Sequence, residues 1–232
     1  MKRILIFSVA LNILLLLLCA YLLYKNEALD FMDGQEKPGR VKFGVDYEDR
    51  KHFFESLPND TSEIIFLGNS IIAGCDWAEL FRNPKIKNRG IGGDKLMGVI
   101  NRIDEVVESY PQKIFLLIGT NDLARGKPGD RILSEYEQLI TLIKTKSPRT
   151  GLYIHSILPT KDRKAQKNDA ILEINKGLME LSAKYNLVFI NLFDSFKDAN
   201  NELSETYSYD GLHLNGDGYF LWKNRIEEYV NN

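Results

Sequence analysis

The sequence predicts an α/β domain: a three-layer α/β/α sandwich built on a five-stranded, mostly parallel sheet. Three observations lead there. Short, continuously apolar runs recur along the chain, among them Ile64-Ile65-Phe66-Leu67 and Ile114-Phe115-Leu116-Leu117-Ile118. Runs of this kind suit strands covered on both faces. Segments with apolar residues at helical spacing alternate with them, the pattern of helices packed on a parallel sheet. Most of the runs stop at polar, glycine-marked loops. Right-handed crossovers put all strand C-termini at one edge, where such sheets bind ligands.

The chain opens with Lys2 and Arg3, followed by an apolar run from Ile4 to Tyr24 whose polar interruptions are Ser8 and Asn12. About 20 residues at ~1.5 Å rise span the hydrocarbon of a bilayer. Leu22, Leu23 and Tyr24 continue the run with no small-x-small cleavage pattern after it, so a retained anchor over residues 1–24 is favoured over a cleaved signal. Leu18 before Cys19 argues against lipidation. Either reading exports the rest of the chain. With Lys2 and Arg3 held inside, that portion faces away from the cytoplasm, membrane-anchored or, if cleaved, secreted. Residues 25–45, charged and marked by Gly34, Pro38 and Gly39, read as a tether. The domain is expected over 46–232.

Tyr47, Phe53, Phe54 and Leu57 suggest one face of a leading helix, with His52 on its solvated side. Strand one, Glu63–Leu67, ends at Gly68-Asn69-Ser70, and Ile71, Ile72, Trp77, Leu80 and Phe81 suit a helix behind it. Lys85–Gly90 is the second strand, running into Ile91-Gly92-Gly93-Asp94. Leu96, Val99, Ile100, Ile103, Val106 and Val107 form one helical face, ended before Pro111. Strand three, Lys113–Ile118, stops at Gly119-Thr120-Asn121-Asp122. The next helix carries Ile132, Leu133, Tyr136, Leu139, Ile140 and Ile143. Strand four is expected over Leu152–Leu158, then a charged loop, Thr160–Lys167, and a helix with Ile171, Ile174, Leu178, Leu181 and Tyr185. Leu187–Asn191 is strand five. An irregular segment, Asp194–Tyr209, leads to Asp210-Gly211-Leu212-His213 and a last helix from about Asp217.

Composition narrows the chemistry. The 232 residues are 44% hydrophobic and 27% charged, with a formal net charge of −2. Basic and acidic residues are mixed, so nothing points to nucleic acid. Two cysteines, Cys19 and Cys75, give no disulfide framework or zinc pattern. Three histidines, His52, His155 and His213, are the only ones a histidine-dependent mechanism can use.

Acyl transfer needs a nucleophile, a base, an orienter for the base and donors for an oxyanion. Ser70 sits between a strand end and a helix start, where free N–H groups favour negative charge; its bland reading is a helix cap. His213 lies in a strand-end loop beside glycine and acid, whereas His155 falls within strand four and reads as core. Asp210, three residues before His213, can reach the imidazole in a turn. Oxyanion donors are available at the Ser70 N–H, the Gly92-Gly93 turn and the Asn121 amide. Singly, each has an equally good structural reading as a turn glycine or a capping amide. Together they converge on one edge.

Gly68-Asn69-Ser70, Asn88-Arg89-Gly90-Ile91-Gly92-Gly93-Asp94, Gly119-Thr120-Asn121-Asp122 and Asp210-Gly211-Leu212-His213, in this order, resemble the four sequence blocks of the SGNH (GDSL-type) hydrolases. The versions of the second and third blocks resemble the branch with platelet-activating-factor-type acetylhydrolases and carbohydrate O-acetylesterases. The resemblance implies a flavodoxin-like sandwich and a serine esterase of small acyl, above all acetyl, esters on carbohydrate. It implies Ser70 as nucleophile, His213 as base and Asp210 as orienter. It also implies an oxyanion hole of Ser70, Gly93 and Asn121, and no cofactor or metal. Asn69 stands where the family has aspartate, and Ile71 where it has leucine.

Asn69, Arg89, Gly92 and Asp94 are candidates to bind the substrate, and Trp77, Arg125 and the 160–167 loop to line the acceptor site. A lysophospholipase or thioesterase would share the mechanism. A metal-dependent phosphoesterase on Asp94, Asp122, Asp210 and His213 is short of ligands. A non-catalytic glycan-binding module is the remaining alternative. The expected partners are an acyl ester substrate and, through the N-terminal run, a membrane; oligomeric state is not readable.

Overall fold

The computed structural model describes Tyr21 and residues 43–232. Apart from Tyr21 and residues 43–45, the expected anchor and tether lie outside the described residues. Among the described residues no helix is long and apolar enough to cross a membrane. Phe43 stacks on Tyr47 with ring centroids 4.1 Å apart, so the end of the expected tether packs with the domain. The leading helix, α1, is Val45–Glu55. It buries Tyr47 and Phe54 against Ile91; Phe53, expected on that face, points outward.

Among the described residues one sheet forms from β1 (Ile64–Gly68), β2 (Ile86–Gly90), β3 (Lys113–Leu117), β4 (Gly151–His155) and β5 (Val188–Ile190). Its order is β2-β1-β3-β4-β5 and every pairing is parallel. This is a doubly wound order that reverses between β1 and β3. Alternate residues of each strand face opposite layers. Ile65 and Leu67 of β1 join Ile114 and Leu116 in one core, while Ile64 and Phe66 join Phe115 and Leu117 in the other.

The first core is roofed by α4 (Leu96–Asn101), α5 (Ile103–Val107), α7 (Gly129–Lys146) and α8 (Asn168–Lys184). The second lies under α2 (Ser70–Ala73), α3 (Trp77–Leu80) and α10 (Gly216–Asn231). Trp77 is buried there, stacked on Phe66 at 4.2 Å, its indole N–H donating to the Ile72 carbonyl. It is core and does not line an acceptor site.

Long-range contacts redraw several expected elements. The helix expected after Ser70 is two short pieces, α2 and α3. The Asn88 amide donates to the carbonyls of Ile72 and Cys75 (3.0 and 2.9 Å), supplying partners where α2 ends. The helix expected from Leu96 to Val107 breaks at Arg102, whose side chain is drawn inside. Strand four stops at His155 because the Asn175 side chain takes both the N–H and the carbonyl of Ile157. Two short helices, α6 (Thr120–Ala124) and α9 (Phe193–Phe196), occupy segments expected to be irregular.

Candidate active site

β1 and β3, the strands flanking the reversal, deliver Ser70 and Asn121 to the same edge. Gly68 pairs in register with Gly90 on one side and Leu117 on the other. A Cβ on Gly68 would lie 2.0 Å from the Leu117 carbonyl oxygen, so the chain leaves the sheet here only with glycine. Asn69 is fully buried and caps α2, its side-chain oxygen accepting from the Ile71 N–H at 3.0 Å. It therefore supports the helix that opens at Ser70 and is closed off from solvent.

Ser70 Oγ lies 3.0 Å from His213 Nε2, and His213 Nδ1 lies 2.7 Å from Asp210 Oδ2. An ionised carboxylate only accepts, so Nδ1 carries the proton and Nε2 is left to accept from the Ser70 hydroxyl. The other Asp210 oxygen accepts from the backbone N–H groups of Leu212 and His213 at 2.9 and 2.8 Å. Burial pulls the Asp210 carboxyl upward, but the His213 ring and these two N–H donors outweigh it and hold it far below its usual value. Both side chains remain about half exposed, at 46% and 47%.

The second and third loops meet beside Ser70. Ile91 to Asp94 is a turn closed by the Asp94 N–H on the Ile91 carbonyl at 3.2 Å. Gly93 has φ +72° at its third position, as a type II turn requires. Gly92 and Gly93 are exposed, and the N–H groups of Gly93 and Ser70 make no hydrogen bond among the described residues. The Asn121 amide donates to the Asp94 carbonyl at 2.9 Å, which ties the third loop to the second.

Beneath that turn lies a dry ion network. Arg102, fully buried, pairs with Asp94 at 3.0 Å and donates to the carbonyls of Gly68 and Arg89 at 3.2 and 2.8 Å. Arg89 pairs with Glu105 at 3.1 Å and lies over the Phe54 ring. Burial pushes the Asp94 carboxyl up to about 6 against the opposing pull of Arg102. Arg89 and Asp94, expected as substrate contacts, are both buried in this scaffold. Asp122 takes the Leu96 N–H at 3.1 Å and pairs with Lys127 at 2.7 Å, and Lys127 also holds Glu135 at 2.7 Å. Asp94, Asp122, Asp210 and His213 are thus engaged separately, and among the described residues no group of acids, histidines and cysteines could hold a metal.

Sequence reasoning missed Arg102 as the tie between these loops. Its one signal was that it is the single cation between Leu96 and Val107. It also left Arg163 unranked within the 160–167 loop; Arg163 donates to the Asp210 carbonyl at 2.6 Å. Arg125, just past the end of α6, is exposed, and of Asn69, Arg89, Gly92 and Asp94 only Gly92 is left open to solvent. His52 is exposed as expected, and His155 is fully buried between Phe115 and Trp222.

Residues 66–221 match the model of the GDSL-like Lipase/Acylhydrolase family. The rat platelet-activating factor acetylhydrolase IB subunit alpha2 is 26% identical over 68% of this chain and 71% of its own length. An N-acylneuraminate cytidylyltransferase of Escherichia coli O18:K1:H7 is 27% identical over 91% of this chain, which spans 53%, about half, of that relative. A solved Streptococcus pneumonia protein named for platelet activating factor is 30% identical, with a TM-score of 0.73 over 80% of this chain and 92% of its own.

Proposed function

This chain belongs to the GDSL-like lipase/acylhydrolase family, and on that premise we propose that it is a serine esterase that removes acetyl groups from carbohydrate. The observation that carries the reading is the continuous chain from Ser70 Oγ through His213 to Asp210, at 3.0 and 2.7 Å, with the N–H groups of Ser70 and Gly93 unengaged among the described residues. Ser70 attacks the ester carbonyl while His213 Nε2 takes its proton. The negative oxygen is received by the N–H groups of Ser70 and Gly93 and the second amide hydrogen of Asn121. His213 then gives the proton to the departing sugar oxygen, leaving an acetyl-enzyme. Water, activated by the same imidazole, releases acetate and restores Ser70. Asp210 holds the ring and offsets the charge it gains. No cofactor or metal enters this scheme.

The acetyl group is supported by the acetylhydrolase relatives. The carbohydrate acceptor is supported by the sugar in the E. coli relative's name and by Tyr209, next to Asp210 and 92% exposed, whose ring offers a face for a sugar to stack on. The test is hydrolysis of p-nitrophenyl acetate by wild type and Ser70→Ala. Loss of roughly 10³-fold or more in kcat/KM is expected; a wild type that is inert and resists serine-directed organophosphates would refute the reading. We also propose that residues 1–24 anchor the domain outside the cytoplasm, supported by Lys2 and Arg3 ahead of the apolar run. Protease added to intact cells should then remove the domain from the membrane fraction.

A further inference from the structure

The 160–167 segment is tied at both ends to the edge that holds Asn121 and His213, as a wall beside it. At one end the Lys161 N–H donates to the Gly211 carbonyl at 2.8 Å, and Arg163 Nη2 donates to the Asp210 carbonyl at 2.6 Å. At the other end the buried Gln166 amide donates to the Thr120 carbonyl at 3.3 Å, next to Asn121. Asn168 closes the base of the loop, its side chain taking both the N–H and the carbonyl of Thr160. The wall therefore runs from the base's turn to the helix carrying Asn121, and Lys164 and Ala165 sit between its two anchors.

That wall is basic. Lys161 is neutralised by Glu205 and lies among Asp162, Asp198 and Glu202. The loop's other charges are the exposed Asp162, Arg163 beside Asp210, and Lys164 and Lys167, a cationic balance. Lys164 and Lys167 are exposed and make no ion pair among the described residues. Arg163 is about one-third exposed, and its Nη2 is 3.6 Å from Asp210 Oδ2. Its Nε and Nη1 have no partner among the described residues, so the guanidinium is fixed at one corner and open at the other. Arg125, exposed just past the end of α6, is a fourth cation one turn along the chain from Asn121.

We propose that the acceptor bearing the acetyl group is anionic, a carboxylated or otherwise acidic sugar, and that Arg163 is the specificity-determining residue that receives its charge. This rests on the esterase reading. The free Nε–H and Nη1–H can each donate a hydrogen bond to an anion, and the hold of Nη2 on the Asp210 backbone orients the guanidinium in advance. Lys164 and Lys167 add a field that draws anions toward the cleft and weakens with salt.

The experiment compares kcat/KM for the mono-O-acetyl esters of methyl glucuronide and methyl glucoside, which differ by one carboxylate. The wild type is expected to prefer the glucuronide by about tenfold, through a lower KM. The preference should shrink as ionic strength rises and the Debye length falls from about 30 Å at 0.01 M to about 3 Å at 1 M. Arg163→Gln should bring the ratio close to one, Arg163→Lys should keep much of it, and Lys164→Gln with Lys167→Gln should reduce its salt dependence. Equal kcat/KM on the two esters in wild type, or a ratio untouched by Arg163→Gln, would overturn the proposal. Hydrolysis of p-nitrophenyl acetate by the same preparation separates the two failures: activity there without a charge preference sinks the anionic acceptor alone, and inertness there sinks the esterase reading with it.

Discussion

Asp94 and Asp210 sit on loops of the same sheet edge, and each holds a basic side chain within 3.0 Å. Their surroundings push them in opposite directions. Asp94 is 4% exposed and is raised to about 6 by burial, which Arg102 only partly offsets. Asp210 is half exposed; its slight burial is outweighed by three N–H donors, which hold it low. The carboxylate beside the His213 ring is half exposed and heavily bonded, which favours its ionised form. The carboxylate that joins backbone loops is kept dry, where its pair is rigid but its charge is costly.

Removing each group tests that division. Asp210→Asn keeps the shape but loses the charge that orients His213 and balances its protonated form. A fall of roughly 10⁴-fold in kcat is expected, with a melting temperature close to wild type; unchanged turnover would erase the distinction. Arg102→Met leaves the buried Asp94 without its cation and frees the Gly68 and Arg89 carbonyls. It should cost about 3–5 kcal/mol of stability in urea titrations, and a mutant as stable as wild type would mean the network contributes nothing to the fold.

A smaller effect separates the two acids by pH. The folded value of Asp94, about 6, lies above the ordinary 3.8. The stability it contributes is full below about pH 4 and is lost as pH rises through 6. The folded value of Asp210 is depressed, so its contribution is present above about pH 4 and is lost on acidification. Relative to Asp94→Asn, wild type should be more stable at pH 5 than at pH 8; an equal difference at both would remove the assignment. The smallest effect concerns His155, fully buried, with no hydrogen bond to either ring nitrogen among the described residues, and lowered to about 3 by burial. Folding keeps it neutral, so it weakens the fold as pH drops below about 6.5. His155→Phe should leave kcat/KM within about threefold and flatten the acid side of the stability profile. A large loss of turnover would place His155 in the chemistry.

The local sequence was sufficient for much of this site. Apolar runs gave β1 and β3, because strands buried on both faces leave a continuous apolar signature in the chain itself. Ser70 and His213 are 143 residues apart, yet their meeting was legible, because the chain has so few histidines and parallel crossovers send every strand end to one edge. Asn121 and the Gly92-Gly93 turn were legible for the same reason.

What tertiary structure alone decided were the partners of side chains that bind backbone. Arg102 donates to the carbonyls of Gly68 and Arg89, Asn88 to those of Ile72 and Cys75, and Arg163 to that of Asp210. A carbonyl is present at every residue, so no sequence pattern distinguishes the one that will be chosen. The same fact hid the broken helices and the buried placement of Asn69, Arg89 and Asp94. Sequence by itself determined which groups reach the edge shared by Ser70 and His213; the packed fold decided which of them stay open to solvent, because burial depends on what the rest of the chain brings over each of them.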